Sequence, residues 1–308
     1  MLPRIVFMGS PEFALPVLEA LTRQYPVVGV VTQPDRPAGR GGQLRPPPVK
    51  VYAQQAGLPF IQPENLRAAE VMAQLRAWAP DVIVVAAFGQ ILRPEVLELP
   101  PYGCLNVHAS LLPRWRGASP IAAAILAGDA ETGVTIMKMD AGVDTGPILA
   151  QRAQPIARED TTASLSARLA RLGADLLLET LPDYLNGRCQ PYPQPAQGVT
   201  YAPMLKKEDG RLDFQKTADE LERQVRAMNP WPGAWFEWDG APLKVWRARV
   251  CYGPTPGSGQ RVVLDGYPAI GSREAVLVLE EVQPAGRKPM SGKAFLAGAR
   301  TWLTSCMS

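Results

Sequence analysis

The hydrophobic pattern changes character twice along the chain. Over its first third, continuous apolar runs (Arg4 to Gly9, Pro26 to Gln33 and Asp81 to Gln90, each centred on Val, Ile or Phe) are separated by segments in which apolar residues recur at three and four. Runs apolar on both faces predict parallel strands covered by helices on either side. Phe13, Val17, Leu18 and Leu21 give a helix over Glu12–Leu21, and Val49–Gln55 and Asn65–Trp78 give two more around the short apolar piece Leu58–Ile61. Further on, Leu105–His108, Gly133–Met139 and Ile148–Ile156 read as strands and Ser119–Ala127 as a helix. A second helix, Ser164–Thr180, carries Leu165, Leu169, Leu172, Leu176 and Leu177 on one stripe. This alternation predicts an α/β fold over residues 1–189, a Rossmann-like, mostly parallel sheet with helices on both faces.

After a Pro-rich linker at 190–205 the pattern becomes that of a different module. One amphipathic helix lies within Leu212–Met228, followed by short strands at Trp235–Trp238, Leu243–Val250, Gly259–Asp265, Ala269–Gly271 and Ala275–Val282. Short strands with frequent turns predict a small OB-like β-barrel over 206–308.

Composition agrees with two domains, since 308 residues exceed the roughly 100–200 of a typical one. The longest apolar runs, Val82–Phe88 and Ile121–Ala127, fall far short of the roughly 20 residues that cross a bilayer. The first nine residues run straight into a strand, so a cytoplasmic protein is expected. Cys104, Cys189, Cys251 and Cys306 are widely spaced and the chain has one histidine, so neither a metal site nor a disulfide framework is expected. Net charge is +3, and residues 206–308 hold all of it, with 15 Lys+Arg against 12 Asp+Glu. This is a mild signal of an anionic partner.

Three stretches carry candidate chemistry. The first turn, Gly9-Ser10-Pro11-Glu12-Phe13-Ala14, lacks the second and third glycines of a dinucleotide fingerprint, which excludes a classical NAD site. The loop Pro34–Pro48 far exceeds the usual two to six residues after a parallel strand. With Arg36, Arg40, Arg45 and, just beyond it, Lys50 against Asp35, the stretch 34–50 carries +3, suited to clamping phosphates. The third stretch holds the sole histidine. Asn106 and His108, two apart on one strand, project to the same face and lead into the loop Leu111-Leu112-Pro113-Arg114-Trp115-Arg116-Gly117.

A further acid, Asp144, sits in the loop Asp140–Pro147, the exit of what reads as another parallel strand. Together Asn106, His108 and Asp144 suit attack of an amine on a carbonyl. The Asn106 amide supplies an oxyanion donor. His108 serves either as proton acceptor or, already protonated, as a second support of the oxyanion, and Asp144 orients the ring; the sequence leaves both roles of His108 open.

The pattern Asn106-x-His108-x-Ser110-Leu111-Leu112-Pro113-x-x-x-Gly117, with Asp144 in a Gly-rich loop, resembles the active site of the 10-formyltetrahydrofolate-dependent formyltransferases. Gln33 to Gly41, Leu111 to Ile121 and Asn229-Pro230-Trp231-Pro232-Gly233-Ala234 resemble the branch of that family acting on aminoacyl-tRNA, so the likeness spans nearly the whole chain. It implies transfer of a formyl group from 10-formyltetrahydrofolate to the methionine of initiator Met-tRNA by a monomer without metal. It also implies that Asn106, His108 and Asp144 are catalytic and that Ser110, Leu111, Leu112 and Pro113 form the folate segment. Contacts to tRNA fall on Arg36, Arg40 and Arg45 of the basic loop and on Lys206 and Lys207 of the C-terminal module. Two alternatives are a formyltransferase acting on a small amine, such as a nucleotide sugar or ribonucleotide, and a non-catalytic RNA-binding protein. The basic loop and the C-terminal module have no evident use in the first, and the intact Asn106, His108 and Asp144 set none in the second.

Overall fold

In the computed structural model, which describes residues 2–38 and 43–303, the continuous apolar runs form the centre of one sheet. The elements in order are β1 (Ile5–Gly9), α1 (Leu15–Gln24), β2 (Val27–Val31), β3 (Arg36–Ala38), β4 (Gln43–Arg45), α2 (Pro48–Gln55), β5 (Phe60–Ile61), α3 (Ala69–Trp78), β6 (Val82–Ala86) and α4 (Pro94–Leu97). They continue with β7 (Cys104–His108), α5 (Pro120–Ala127), β8 (Glu131–Lys138), β9 (Ile148–Pro155) and α6 (Thr162–Leu185). The sheet order is β5-β2-β1-β6-β7-β8-β9. Helices cover both faces. Val6, Met8, Ile83, Val85 and Cys104 pack with Leu75 and Trp78 of α3 and Val96 of α4, whereas Gly173 of α6 lies against Val107 and Val134, which point the other way.

Two expectations need correction. Gly133–Met139 was expected as a further parallel strand, but β8 runs antiparallel to both β7 and β9. Burial hides the direction: Thr132 to Met137 are buried without a break, and a strand buried on both faces shows the same apolar run whichever way it points. The second correction concerns the Pro-rich 190–205 stretch, whose first part is no free linker. Tyr192 exchanges both backbone hydrogen bonds with Ile148, the Arg116 N–H donates to the Thr200 carbonyl, and the Ala202 N–H donates to the Arg116 carbonyl. Proline removes donors but leaves every carbonyl as an acceptor, so a segment without regular structure can still dock.

Tertiary contacts divide the chain into two units. One comprises the chain through Pro120, Glu131–Pro155 and Ser166–Pro203. The other comprises Ile121–Ala130, Ile156–Leu165 and the chain from Met204 onward. The two early segments join the later unit through side-chain bonds: Arg223 Nε donates to Leu126 O, Thr162 Oγ1 to Ala227 O and Arg226 Nη1 to Asp160 O.

The second unit contains α7 (Ala218–Ala227), β10 (Ala234–Trp238), β11 (Ala241–Cys251), β12 (Arg261–Leu264), β13 (Tyr267–Gly271), β14 (Val276–Pro284), β15 (Met290–Ser291) and α8 (Gly292–Gly298). Thr217 begins α7 with a capping box, its hydroxyl taking the Glu220 N–H while the Glu220 carboxylate takes the Thr217 N–H. The strands form one antiparallel sheet in the order β10-β11-β14-β13-β12, with β15 on β14. Its core sets Phe236 edge-on to Phe214 and Trp302, and Phe295 edge-on to Trp238.

Candidate active site

The period of two in β7 sorts its residues as expected. Leu105 and Val107 are buried toward α6, Cys104 is buried on the opposite face, and Asn106 and His108 follow Cys104 on that face. Burial pushes the Cys104 thiol up to about 12 despite the opposing charge of Lys138, so it is an inert core group rather than a nucleophile.

Asp144 reaches this face by an indirect route. β8 ends at Lys138, level with Leu105, so the loop that follows leaves at the opposite end of β7 from His108. It must double back along the sheet to bring Asp144 over Asn106 and His108. Gly146 permits this, because a Cβ there would stand 1.9 Å from the Lys138 carbonyl. Asp140 is consumed in shaping the same loop, its Oδ1 taking the Gly142 N–H at 3.0 Å and the Thr145 hydroxyl at 2.6 Å. The two acids are thereby told apart: one builds the turn and the other faces the site.

Asp144 gathers the remaining groups. Its Oδ1 accepts from Asn106 Nδ2 at 3.2 Å, its Oδ2 accepts the Gly117 N–H at 2.8 Å, and the same oxygen lies 3.6 Å from His108 Nδ1. The other ring nitrogen, Nε2, is 3.0 Å from the Trp115 carbonyl. A carbonyl only accepts, so this contact assigns a proton to Nε2. Asp144 and Trp115 both lie in the left-handed region, at φ 51° and 62°. Such backbone persists where surrounding bonds over-determine it, and it clusters at functional sites. Gly117, at φ 118°, is required for a second reason, since a Cβ would come within 2.6 Å of the Ala202 carbonyl.

The segment after β7 is pinned from beneath. The Thr135 hydroxyl, fully buried, donates to Ser110 O at 2.6 Å and accepts from Leu112 N at 3.1 Å and Gln151 Nε2 at 2.9 Å. Gln151 also donates to Leu112 O at 2.9 Å. Ser110 is itself fully buried, its hydroxyl donating to Arg114 O at 2.6 Å, and Leu112 packs with Met137 and Ile148. Leu111 and Pro113 are half-buried. Sequence reasoning missed Thr135 and Gln151; the one available signal was a threonine amid the apolar residues of β8.

The basic loop is a short hairpin rather than an irregular stretch. Arg36 and Arg45 are both exposed and directly opposed across β3 and β4, and Arg36 Nη2 donates to Gln33 Oε1 at 3.0 Å. Arg40 lies outside the described residues. Lys50, counted among the loop's cations, is committed elsewhere: its Nζ donates to both Asp35 oxygens, at 2.8 and 2.7 Å. Gln62 Nε2 donates to the same carboxylate at 2.7 Å, and the Gln62 and Lys50 bonds together hold Asp35 below the usual carboxylate range. Lys206 and Lys207 are exposed and followed by Glu208 and Asp209, the latter capping the Lys206 N–H at 2.6 Å. Among the described residues no cluster of three or more His, Cys, Asp and Glu side chains is placed to hold a metal ion, and no helix is long and apolar enough to cross a membrane.

An oriented imidazole, a primary amide and a carboxylate meet above a loop that closes on a glycine N–H, a set of groups chemically suited to transfer of an acyl-type group to nitrogen. Two family models match this chain: formyl transferase over residues 3–181 and formyl transferase, C-terminal domain, over residues 204–300. The chain belongs to the formyltransferase family. It is 52% identical over 299 residues to the methionyl-tRNA formyltransferase of Chloroflexus aggregans, covering 96% of this chain and 97% of that one. To the methionyl-tRNA formyltransferase of Myxococcus xanthus it is 50% identical over 297 residues, covering 96% and 95%.

Among solved structures this formyltransferase resembles HypX from Aquifex aeolicus in complex with tetrahydrofolic acid, with a TM-score of 0.67 and 18% identity over 99% of this chain and 48% of that one. It also resembles an N-formyltransferase from Helicobacter canadensis bound to folinic acid and dTDP-3-aminofucose, with a TM-score of 0.66 and 18% identity over 92% of this chain and all of that one. At these identities the likeness establishes the shared fold, a Rossmann-like sheet domain followed by a β module.

Proposed function

We propose that this formyltransferase transfers the formyl group of 10-formyltetrahydrofolate to the α-amino group of methionine on initiator Met-tRNA. The observation that carries this substrate is the 50–52% identity, along nearly the whole chain, to proteins named for that reaction. The geometry supports the chemistry. A free α-amino group has a pKa of about 7.7–8.0, so part of it is neutral at pH 7 and ready to attack. The amine nitrogen bonds to the formyl carbon, the bond from that carbon to N10 breaks, and the proton lost by the amine ends on N10.

Asn106 is the oxyanion donor. One Nδ2 hydrogen is held by Asp144, which fixes the amide's orientation and leaves the second hydrogen for the developing charge. His108 is faced by two acceptors, the Trp115 carbonyl and the Asp144 carboxylate. These two contacts fix the plane of the ring beside Asn106. Folate lies against the segment Ser110, Leu111, Leu112 and Pro113, with Ser110 and Leu112 holding the loop's shape and Leu111 and Pro113 offering its outer surface.

In this reading residues 1–189 carry the reaction and residues 206–308 help to hold RNA, with Arg36, Arg40, Arg45, Lys206 and Lys207 contacting phosphates. The enzyme acts as a cytoplasmic monomer without metal. The test is formylation of charged initiator Met-tRNA, elongator Met-tRNA and free small amines with a labelled formyl donor. Efficient transfer to initiator Met-tRNA alone is expected; preference for a nucleotide sugar or ribonucleotide amine would overturn the substrate assignment.

A further inference from the structure

The Pro-rich 190–203 stretch threads past both loops that complete the site, and one of its side chains is saturated by them. Gln194 Nε2 donates to Asp144 O and to Gly146 O, each at 2.8 Å, which uses both amide hydrogens on the loop that carries the carboxylate. Gln194 Oε1 accepts from Arg116 Nε at 3.1 Å and Arg116 Nη2 at 2.7 Å, which ties it to the loop after β7. Gln194 is half-buried between exposed neighbours, Tyr192 and Pro193 before it and Pro195 to Gly198 after it.

Six residues on, Thr200 continues the same connection. Its Oγ1 accepts the Trp115 N–H at 2.8 Å and its carbonyl accepts the Arg116 N–H at 2.9 Å. The two residues held in left-handed backbone beside His108, Asp144 and Trp115, are therefore both bound directly by this strap. We infer that Gln194 is a positioning residue for formyl transfer, with Thr200 as its lesser partner. By fixing the Asp144 backbone against Arg116 it sets where the carboxylate stands relative to Asn106 and His108. A displacement of about 1 Å in such a constellation costs on the order of 10²-fold in rate.

This inference rests on the proposed formyl transfer, and a readout independent of substrate separates the two. The chain's only histidine is His108, so in tag-free protein labelled with ¹⁵N the imidazole signals report on this site alone. Gln194→Met keeps length and volume while removing all four hydrogen bonds. Gln194→Glu keeps the acceptors toward Arg116 but turns the donors toward Asp144 O and Gly146 O into repelling oxygens. Both variants are expected to lower kcat at least 10-fold, with KM for Met-tRNA within 2-fold of wild type, and to shift the His108 ring signals at fixed pH.

Thr200→Val, which removes a single acceptor, should lower kcat several-fold and decides the matter if the Gln194 variants fold poorly. Unchanged kcat with superimposable His108 signals in folded variants would overturn the inference. If the wild type itself fails to formylate Met-tRNA, the substrate reading falls, and the His108 signals alone then decide whether Gln194 positions the site.

Discussion

The Asn106 amide donates to Asp144 Oδ1 over 3.2 Å, so the group proposed to receive the developing negative charge is itself oriented by a negative charge. Because a carboxylate only accepts, the contact excludes the flipped amide and leaves one N–H aimed elsewhere. Asn106→Ala should lower kcat by about 10²–10³, the usual effect of losing one oxyanion donor. Asn106→Asp, nearly isosteric, should be at least as damaging, because it removes the donor and sets a second carboxylate against Asp144. Steady-state kinetics of the two variants, with circular dichroism as a folding control, checks both; turnover retained in Asn106→Asp would show that the amide is not the donor.

Thr135 supports, from within the core, the Ser110–Pro113 segment proposed to bind folate. Its hydroxyl serves Ser110 O, Leu112 N and Gln151 Nε2 at once inside a fully buried position. Thr135→Val keeps the shape and strands these partners, each at a cost of about 1–3 kcal/mol. The melting temperature should fall by several degrees and KM for the formyl donor should rise more than KM for Met-tRNA. Calorimetry and kinetics with each substrate varied separately measure this; equal effects on both KM values would assign Thr135 to stability alone.

The parts of this architecture visible in the sequence are those written in local periodicity. The continuous runs of β1, β2 and β6 and the leucine stripe of α6 leave little choice of element, and the spacing of Asn106 and His108 places them on one face as soon as β7 is a strand. Strand direction is not local, and β8, buried without a break from Thr132 to Met137, gave no sign that it reverses, so the path by which Asp144 reaches His108 became visible only in three dimensions. Nor does composition distinguish a docked Pro-rich segment from a free one, because docking at Gln194, Thr200 and Ala202 depends on what lies opposite. Lys50 illustrates the same limit: as a letter it counts toward the loop's charge, and in space Asp35 neutralises it.

That ion pair makes the base of the hairpin sensitive to acid. Asp35 is held below its ordinary value of 3.8, first by the Gln62 hydrogen bond and then by Lys50. A carboxylate depressed in the folded protein contributes stability above its unfolded pKa, and loses it as pH falls through the folded value. Segments 33–38 and 43–50 should therefore show faster amide exchange, after correction for intrinsic rates, as pH drops below about 4, ahead of the β1 and β6 core. Asp35→Asn should loosen them at neutral pH and flatten this dependence. Hydrogen exchange followed by mass spectrometry resolves the two segments, and identical protection in wild type and Asp35→Asn would remove the anchor role.

Above that anchor, Arg36 and Arg45 stand directly opposite each other with exposed side chains. Like charges paired across two strands oppose folding of the hairpin, and an anion between them turns the repulsion into binding. Lys50 is neutralised by Asp35, so among the described residues of the hairpin and its base these two arginines carry its positive charge. Arg36→Ala and Arg45→Ala should each weaken Met-tRNA binding and reduce the slope of log affinity against log salt by about 1, leaving affinity for the formyl donor unchanged. Arg36→Lys keeps the charge and should retain the slope while losing part of the affinity, since a lysine cannot present the guanidinium fork. Titrations of tRNA at several salt concentrations separate these effects. A slope unaltered in both alanine variants would remove Arg36 and Arg45 from the phosphate contacts.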